Sequence, residues 1–330
     1  MSTRVLLKQF QSPGDILMLT AAVRDLKTHK PEWKINVETS CPEIWLNNIN
    51  LSPSVTESNA DFVINSDYKH EVNKSNQRGY HFSRAFTDNL SEVLKINIPI
   101  SGHGPDIYFS QDEINHDLGL GEYWIINAGG KYDFTAKWWN PDHYQEVVNH
   151  FKGKIKFIQV GAREHHHPQL NNVQNLIGKT SIRTLMLMAK KSQGAITPVS
   201  FLMHVTGNMD SIYGGKVPAI VLAGGREQTS WESYDNHNYI SRVGMYKCCD
   251  MGACWKTKAT ETFCEQEIQE KKTLDDTSIC EDRVDLGGKI SSPSGEAKFY
   301  IARCMHEITP KEIIEKIELI QNNRYERQYK

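Results

Sequence analysis

Short apolar runs that close on glycine or a small polar residue recur along the chain, and most are followed by a stretch with helical spacing. The first is Val5-Leu6-Leu7, which leads through Gln9-Phe10-Gln11-Ser12-Pro13-Gly14-Asp15 into Ile16, Leu17, Leu19, Ala22, Val23 and Leu26 on a helical repeat. This predicts strand, loop, helix, because a brief apolar run fits a buried strand and a period near 3.6 residues fits an amphipathic helix. Further strands are predicted at Ile35 to Val37, Phe62 to Ile64 and Ile107-Tyr108-Phe109, with a helix-like stretch at Glu92 to Leu94. A second series follows: Trp124-Ile125-Ile126-Asn127-Ala128-Gly129-Gly130, Lys156-Phe157-Ile158-Gln159-Val160-Gly161, Gly194-Ala195-Ile196-Thr197 and Ala219-Ile220-Val221-Leu222-Ala223-Gly224-Gly225. Near-continuous apolar strands belong to parallel sheets covered on both faces, whose strand C-termini line a ligand crevice. Gly129, Gly161, Gly224 and Gly225 are therefore candidate ligand-binding positions.

The two series imply an α/β chain of two Rossmann-like domains facing a cleft. The boundaries read as 1–112 for the first domain and 113–310 for the second, with Gln111 to Gly121 linking them. Ile313, Ile314, Ile317, Leu319 and Ile320 form a terminal helix within 311–330. A length of 330 residues suits two cores better than one. Each half has a turn suited to phosphate, Ser12-Pro13-Gly14-Asp15 and Thr197-Pro198-Val199-Ser200, the latter ahead of Met203-His204. Each turn opens a helix-like run, and the N–H groups at a helix start attract anions.

The formal charge of -2 supplies no general basic field, which disfavours nucleic acid as a partner without excluding a local patch. No apolar run reaches the ~18 residues of a membrane span. The start, Met1-Ser2-Thr3-Arg4, lacks the apolar core of an export signal, so a cytoplasmic protein is expected, with any membrane contact peripheral at the inner face. No Gly-x-Gly-x-x-Gly follows the first strand, which weighs against a nicotinamide-dependent dehydrogenase.

Six of the seven cysteines fall between Cys248 and Cys304, within a segment spanning 246–306. In a chain without an export signal, that clustering reads as a metal site before it reads as disulfides. Four thiolates suit a tetrahedral zinc or iron, and Cys249, Cys254, Cys280 and Cys304 are the expected ligands, with Cys248 the substitute for Cys249. Such a closed site is structural and pins the polar loop from Lys256 to Pro293. Cys264 is left spare, Cys41 stands apart near a loop-helix junction, and the competing reading is reduced cysteines without metal.

From Val5 to Gly225 the chain resembles the bacterial heptosyltransferases, glycosyltransferase family 9, which have the GT-B architecture. The resemblance rests on ordered motifs: Gly14-Asp15-Ile16-Leu17 with Thr20, Lys137-Trp138-Trp139-Asn140-Pro141, Gly161-Ala162-Arg163-Glu164, Gly178-Lys179-Thr180-Ser181, and Met203-His204. It implies transfer of a sugar, heptose or another, from a nucleotide-diphosphate donor, ADP- or UDP-linked, to an acceptor hydroxyl, with inversion and no catalytic metal. Asp15 then takes the role of general base and Lys137 that of stabiliser of the departing diphosphate. Gly14, Thr135, Glu164, Ser200 and His204 join the donor site, Glu164 toward the nucleoside and His204 beside the phosphates. The cysteine-rich insertion is similar in arrangement to the metal finger of heptosyltransferases that act on autotransporter proteins. One departure weakens the donor assignment: Val199-Ser200-Phe201 stands where the family usually has Asp-Thr-Gly.

Plainer roles compete. Asp15 is placed to cap its own helix, Lys137 to lie solvated beside aromatic packing, and His204 to sit in the core; His165-His166-His167 reads as a surface loop. The acceptor is expected to be a glycan or lipid-linked sugar, with a base of modified DNA or a protein Ser/Thr as the alternative. Trp138, Trp139, Trp231, Tyr234 and Tyr239 suit stacking on either a base or a sugar. A nucleotide-sugar binding module without activity is the remaining rival.

Overall fold

The computed structural model describes residues 2–75, 78–261 and 278–328 and arranges the two series as two parallel sheets. In the first, β1 (Arg4–Gln9) lies between β2 (Lys34–Thr39) and β3 (Phe62–Asn65). Val5, Leu6 and Leu7 are buried, as a central strand covered on both faces requires. Helix α1 (Pro13–His29) follows with Ser12 as N-cap and Pro13 in its first turn, where a missing N–H costs nothing. It buries Ile16, Leu17, Leu19, Ala22, Val23 and Leu26, and α2 (Lys69–Lys74) and α3 (Phe82–Leu94) complete this half.

After α4 (Gln111–Asn115) comes the second sheet: β4 (Trp124–Ile126), β5 (Phe157–Gln159), β6 (Val173–Asn175), β7 (Gly194–Pro198), β8 (Ala219–Gly224) and β9 (His237–Ser241). Its order is β6-β5-β4-β7-β8-β9, all parallel, the strand order of a Rossmann fold. Helices α5 (Pro141–His150), α6 (Ile182–Lys191), α7 (Phe201–Thr206) and α8 (Thr229–Glu232) connect these strands. A hairpin, β10 (Arg283–Ser292) with β11 (Gly295–Ala302), is followed by α9 (Arg303–His306) and the terminal α10 (Pro310–Gln328). Among the described residues no helix is long and apolar enough to cross a membrane.

The strand expected at Ile107-Tyr108-Phe109 does not form. The adjoining segment is held by side chains instead of a ladder. Arg24 donates to the carbonyls of Gly102 and Gly104 and to Asp106, while the Asp106 N–H donates to Thr20 Oγ1 at 2.8 Å. The linker is similarly fastened, since Arg183 of α6 bonds both oxygens of Glu113 and the Tyr108 carbonyl. Strands β6 and β9 escaped the sequence pattern because β6 is largely exposed and β9 mixes polar residues into a half-buried edge.

One hydrophobic cluster runs from Val5 and Leu7 in the first sheet through Leu202 and Val205 to Val221 and Trp231 in the second half. Polar contacts cross the same boundary. Lys131 Nζ donates to Ser12 Oγ at 2.9 Å and Trp231 Nε1 donates to the Arg78 carbonyl at 3.0 Å. Phe82 stacks on Trp231 at 5.8 Å, and Trp231 on Trp255 at 4.8 Å. His81 caps α3 by accepting from the Ser83 N–H, which leaves Nε2–H to donate to the Ser233 carbonyl at 3.2 Å. His204 Nδ1 pairs with the Tyr234 hydroxyl at 2.9 Å.

These two histidines generate a pH prediction. Burial pushes His81 down to about 3 and holds His204 well below 6.5, so the unfolded chain binds protons that the folded chain refuses. Their contribution to stability is complete above pH 6.5 and is lost as the pH falls below it. Each adds up to about 1.4 kcal/mol per pH unit to the decline. Urea unfolding from pH 7.5 to 5 is expected to show this slope, and His81→Gln to lessen it.

Candidate active site

In an open parallel sheet a ligand sits outside the strand C-termini where the strand order reverses. In the second sheet that point lies between β4 and β7. There Asn127 Nδ2 reaches Thr197 Oγ1 at 3.4 Å and Ser200 Oγ at 3.3 Å, and the two hydroxyls lie 2.8 Å apart. In the first sheet β1 occupies the reversal, and its C-terminal loop carries Ser12, Gly14 and Asp15. The Lys131–Ser12 bond joins the two reversal points, so the fold brings the two predicted turns to one cleft.

Asp15 does cap its helix, its Oδ2 accepting from the Ser12 N–H at 3.1 Å. The carboxylate also accepts from the Tyr68 hydroxyl and lies in the field of Lys137. Burial raises its proton affinity above that of an ordinary aspartate, against the pull of these partners. Lys137 ends the 3-10 helix Tyr132–Lys137 and is only partly solvated. Its side chain is 22% exposed, its Nζ pairs with Glu227 Oε1 at 3.1 Å, and it sits over the Phe134 ring at 5.4 Å. Burial, then the like charge of Arg226, lowers it to about 8.

Three charged residues beyond the sequence reading complete the constellation. Arg226 and Glu227 directly follow the apolar strand β8 and its two glycines, and they contact each other. Glu232 at the end of α8 is buried and carries a raised proton affinity, chiefly from burial, in the fields of Lys137, Arg226 and Asp15. The available signal was a pair of opposite charges placed immediately after an all-apolar strand.

The 3-10 helix bearing Lys137 is fastened by the stretch that follows Cys254. Thr135 Oγ1 donates to the Thr260 carbonyl at 2.7 Å and accepts from the N–H groups of Ala259 and Thr260 at 2.9 and 3.0 Å. The Ala136 N–H donates to the Thr257 carbonyl at 2.9 Å, and Lys258 Nζ to the Tyr132 carbonyl at 2.8 Å. Arg226 Nε donates to the Lys256 carbonyl at 2.8 Å, with its guanidinium 5.8 Å from the Trp255 ring. Thr135, fully buried and with its hydroxyl engaged on both sides, thus supports the site from beneath.

The glycines expected to admit a ligand are mostly filled by the protein itself. A Cβ on Gly129 would meet the His166 carbonyl at 2.0 Å, and one on Gly161 the His167 ring at 2.1 Å. The histidine tract is accordingly no free surface loop. It pairs with Gly130 through two backbone bonds, and His167 Nδ1 lies 2.6 Å from the Ala128 carbonyl. Gly224 makes room for Met305, at 2.6 Å, and Gly225 for Cys249, at 3.0 Å. Gly14 is different, because a Cβ there would approach His204 Cδ2 at 2.9 Å across the cleft. His204 is buried and neutral, while Glu164 is exposed. The aromatic residues suggested as stacking platforms belong to the core: Trp138, Trp139, Trp231 and Tyr234 are all buried, and Trp139 Nε1 donates to the Ile308 carbonyl.

Cys248, Cys254, Cys280 and Cys304 line one cavity together with Arg226, Tyr246 and Asp282. Cys249 turns away, its Sγ within reach of the Arg242 and Tyr246 carbonyls. Cys41 is buried just before the 3-10 helix Pro42–Trp45, and Cys264 and part of the loop from Lys256 to Pro293 lie outside the described residues. Among the described residues no group of three or more His, Cys, Asp or Glu is arranged to hold a metal ion.

No family model matches the sequence, and no curated protein sequence matches it. Solved structures do match. The heptosyltransferase TibC of enterotoxigenic E. coli, an iron-containing dodecamer solved with ADP-D-beta-D-heptose, superposes with a TM-score of 0.61 at 13% identity, covering 98% of this chain and 78% of that one. The E. coli ADP-heptose lps heptosyltransferase II gives 0.55 at 12% identity, covering 98% and 100%. A glycosyl transferase family 9 protein from Veillonella parvula DSM 2008 gives 0.53 at 14% identity, covering 84% and 94%. The chain thus has the GT-B fold, two Rossmann-like domains about a cleft. Within that class its likeness is to the heptosyltransferases.

The clamp on Thr135 generates a second prediction. Thr135→Val orphans two buried N–H groups and a carbonyl, at roughly 1–3 kcal/mol for each group left unpaired. Urea unfolding is expected to register that loss, and hydrogen exchange to quicken at Ala136. Thr135→Ser, which keeps the hydroxyl, is expected to stay close to wild type in both.

Proposed function

We propose that the protein is an inverting glycosyltransferase that moves a sugar from a nucleotide-diphosphate donor to an acceptor hydroxyl. One observation carries this reading: a half-buried aspartate of raised proton affinity on one lip of the cleft lies in the field of a half-buried lysine on the other. In a direct displacement the acceptor hydroxyl loses its proton as its oxygen attacks the anomeric carbon, and the bond to the diphosphate breaks on the opposite face. Asp15 takes the proton, and burial makes it a stronger base than an exposed aspartate. Lys137 and Arg226 supply positive charge where the diphosphate becomes more negative, in a site dry enough for that charge to count. Glu227 neutralises Lys137 in the ligand-free protein and gives way to the phosphates. Ser200 and the Asn127–Thr197 pair border the nucleotide side, and neutral His204 offers a hydrogen bond to the donor.

ADP-heptose is the first donor to test, since TibC was solved with it, and a UDP-sugar the second. A glycan or lipid-linked sugar is the favoured acceptor. For the cysteine segment we propose a structural zinc or iron held by Cys254, Cys280 and Cys304 with Cys248 in the fourth position in place of Cys249. Four thiols line one cavity, where a thiophilic ion would draw them into a shell, and a closed four-thiolate shell has no open position for substrate.

Asp15→Asn is expected to slow transfer by about 10²–10⁴-fold while calorimetry finds donor affinity nearly unchanged; undiminished turnover overturns the assignment. The rate is expected to rise with pH as Asp15 ionises, on a limb above the ordinary aspartate value of 3.8. It then falls through about 8 as Lys137 loses its proton. Initial rates across that range test both limbs, and Lys137→Arg is expected to remove the upper one.

Metal analysis of the intact protein is expected to find one zinc or iron per chain, lost in Cys254→Ser and Cys248→Ser but retained in Cys249→Ser. Removing it with a chelator is expected to lower the melting temperature and to speed hydrogen exchange at residues 254–260.

A further inference from the structure

Glu232 has no role in the chemistry described so far, and its environment demands one. It is 5% exposed, and its Oε2 has no hydrogen-bond partner among the described residues. A carboxylate removed from water without a donor costs several kcal/mol by rough measure, and buried polar groups are almost always paired. Two further oxygens are orphaned in the same neighbourhood, Glu227 Oε2 and the Tyr239 hydroxyl of β9.

The Tyr239 hydroxyl can donate as well as accept, but a ligand that satisfies the two carboxylate oxygens must bring hydrogen-bond donors. A diphosphate offers acceptors only and leaves Glu232 as it was, whereas a sugar ring carries several O–H groups. Position supports the same choice. Glu232 lies in the fields of Lys137, Arg226 and Asp15, and so within reach of both the cations assigned to the leaving group and the base assigned to the acceptor. In an in-line displacement the ring being transferred occupies that interval.

We propose that Glu232 recognises the transferred sugar, its unpartnered Oε2 accepting from a ring hydroxyl with the Tyr239 hydroxyl beside it. The inference rests on the donor reading above and adds the residue that distinguishes a sugar nucleotide from the bare nucleotide. Glu232→Gln keeps the side-chain shape and removes the charge, and Glu232→Ala removes the group.

The test is calorimetry of the full-length protein and both variants with ADP and ADP-heptose, and with UDP and UDP-glucose. The expected result is at least a tenfold loss of affinity for the sugar nucleotide in both variants. Affinity for the matching diphosphate stays within twofold or tightens, because a negative charge has left the neighbourhood of Lys137. Equal shifts for both ligands would make Glu232 a counter-charge to the cations and overturn the proposal, as would wild-type affinity for the sugar nucleotide. If the wild-type protein binds none of the four ligands, the donor reading itself falls and this inference with it. Melting temperatures separate either result from misfolding: a variant that melts below the assay temperature is replaced by Glu232→Asp, for which a loss confined to the sugar nucleotide is again expected.

Discussion

The constraint on which the site depends is a lysine half-buried between two sheets. An ammonium taken out of water is tolerated only where other charges hold it, and Lys137 is held by Glu227 and by the fields of Glu232 and Asp15. These groups come from three separate parts of the chain. Asp15 starts α1, Lys137 ends a 3-10 helix after β4, and Glu227 and Glu232 follow β8. Loosening any one of those elements would strand a charge in a dry environment. The cleft is therefore a place where folding and chemistry make the same demand.

That demand explains the reach of the cysteine-bearing stretch. Residues 256–260 accept from Arg226, Thr135 and Ala136 and donate to Tyr132 and Thr135, so both cations stand on one loop. Trp255 meanwhile takes a left-handed backbone, φ 55°, which turns its ring onto Trp231 and toward Phe82. A bulky residue in that region is strained unless its surroundings insist on it, and here the aromatic stack does so.

Much of this was legible in the sequence, and what was hidden was hidden for physical reasons. Apolar runs located β1, β4, β5, β7 and β8 because central parallel strands must be apolar throughout, while β6, β9 and the hairpin carry polar residues at edges and gave no such pattern. The turn at Asp15 was visible because helix starts have a local signature. The partners of Lys137 were not, since Glu227 and Glu232 lie about ninety residues away and no local rule pairs charges over that distance. Glycine was the most ambiguous letter: at Gly129, Gly161, Gly224 and Gly225 the missing side chain makes room for the protein's own His166, His167, Met305 and Cys249. At Gly14 it makes room for close approach across the cleft.

Trp231 and Trp255 stack at 4.8 Å with Phe82, from the other half of the molecule, against them. Two indoles that close share their excited states, and such coupling depends steeply on the separation and angle of the rings. The protein thus carries its own optical gauge, in which near-ultraviolet circular dichroism reports how tightly the two halves are engaged, with no label attached.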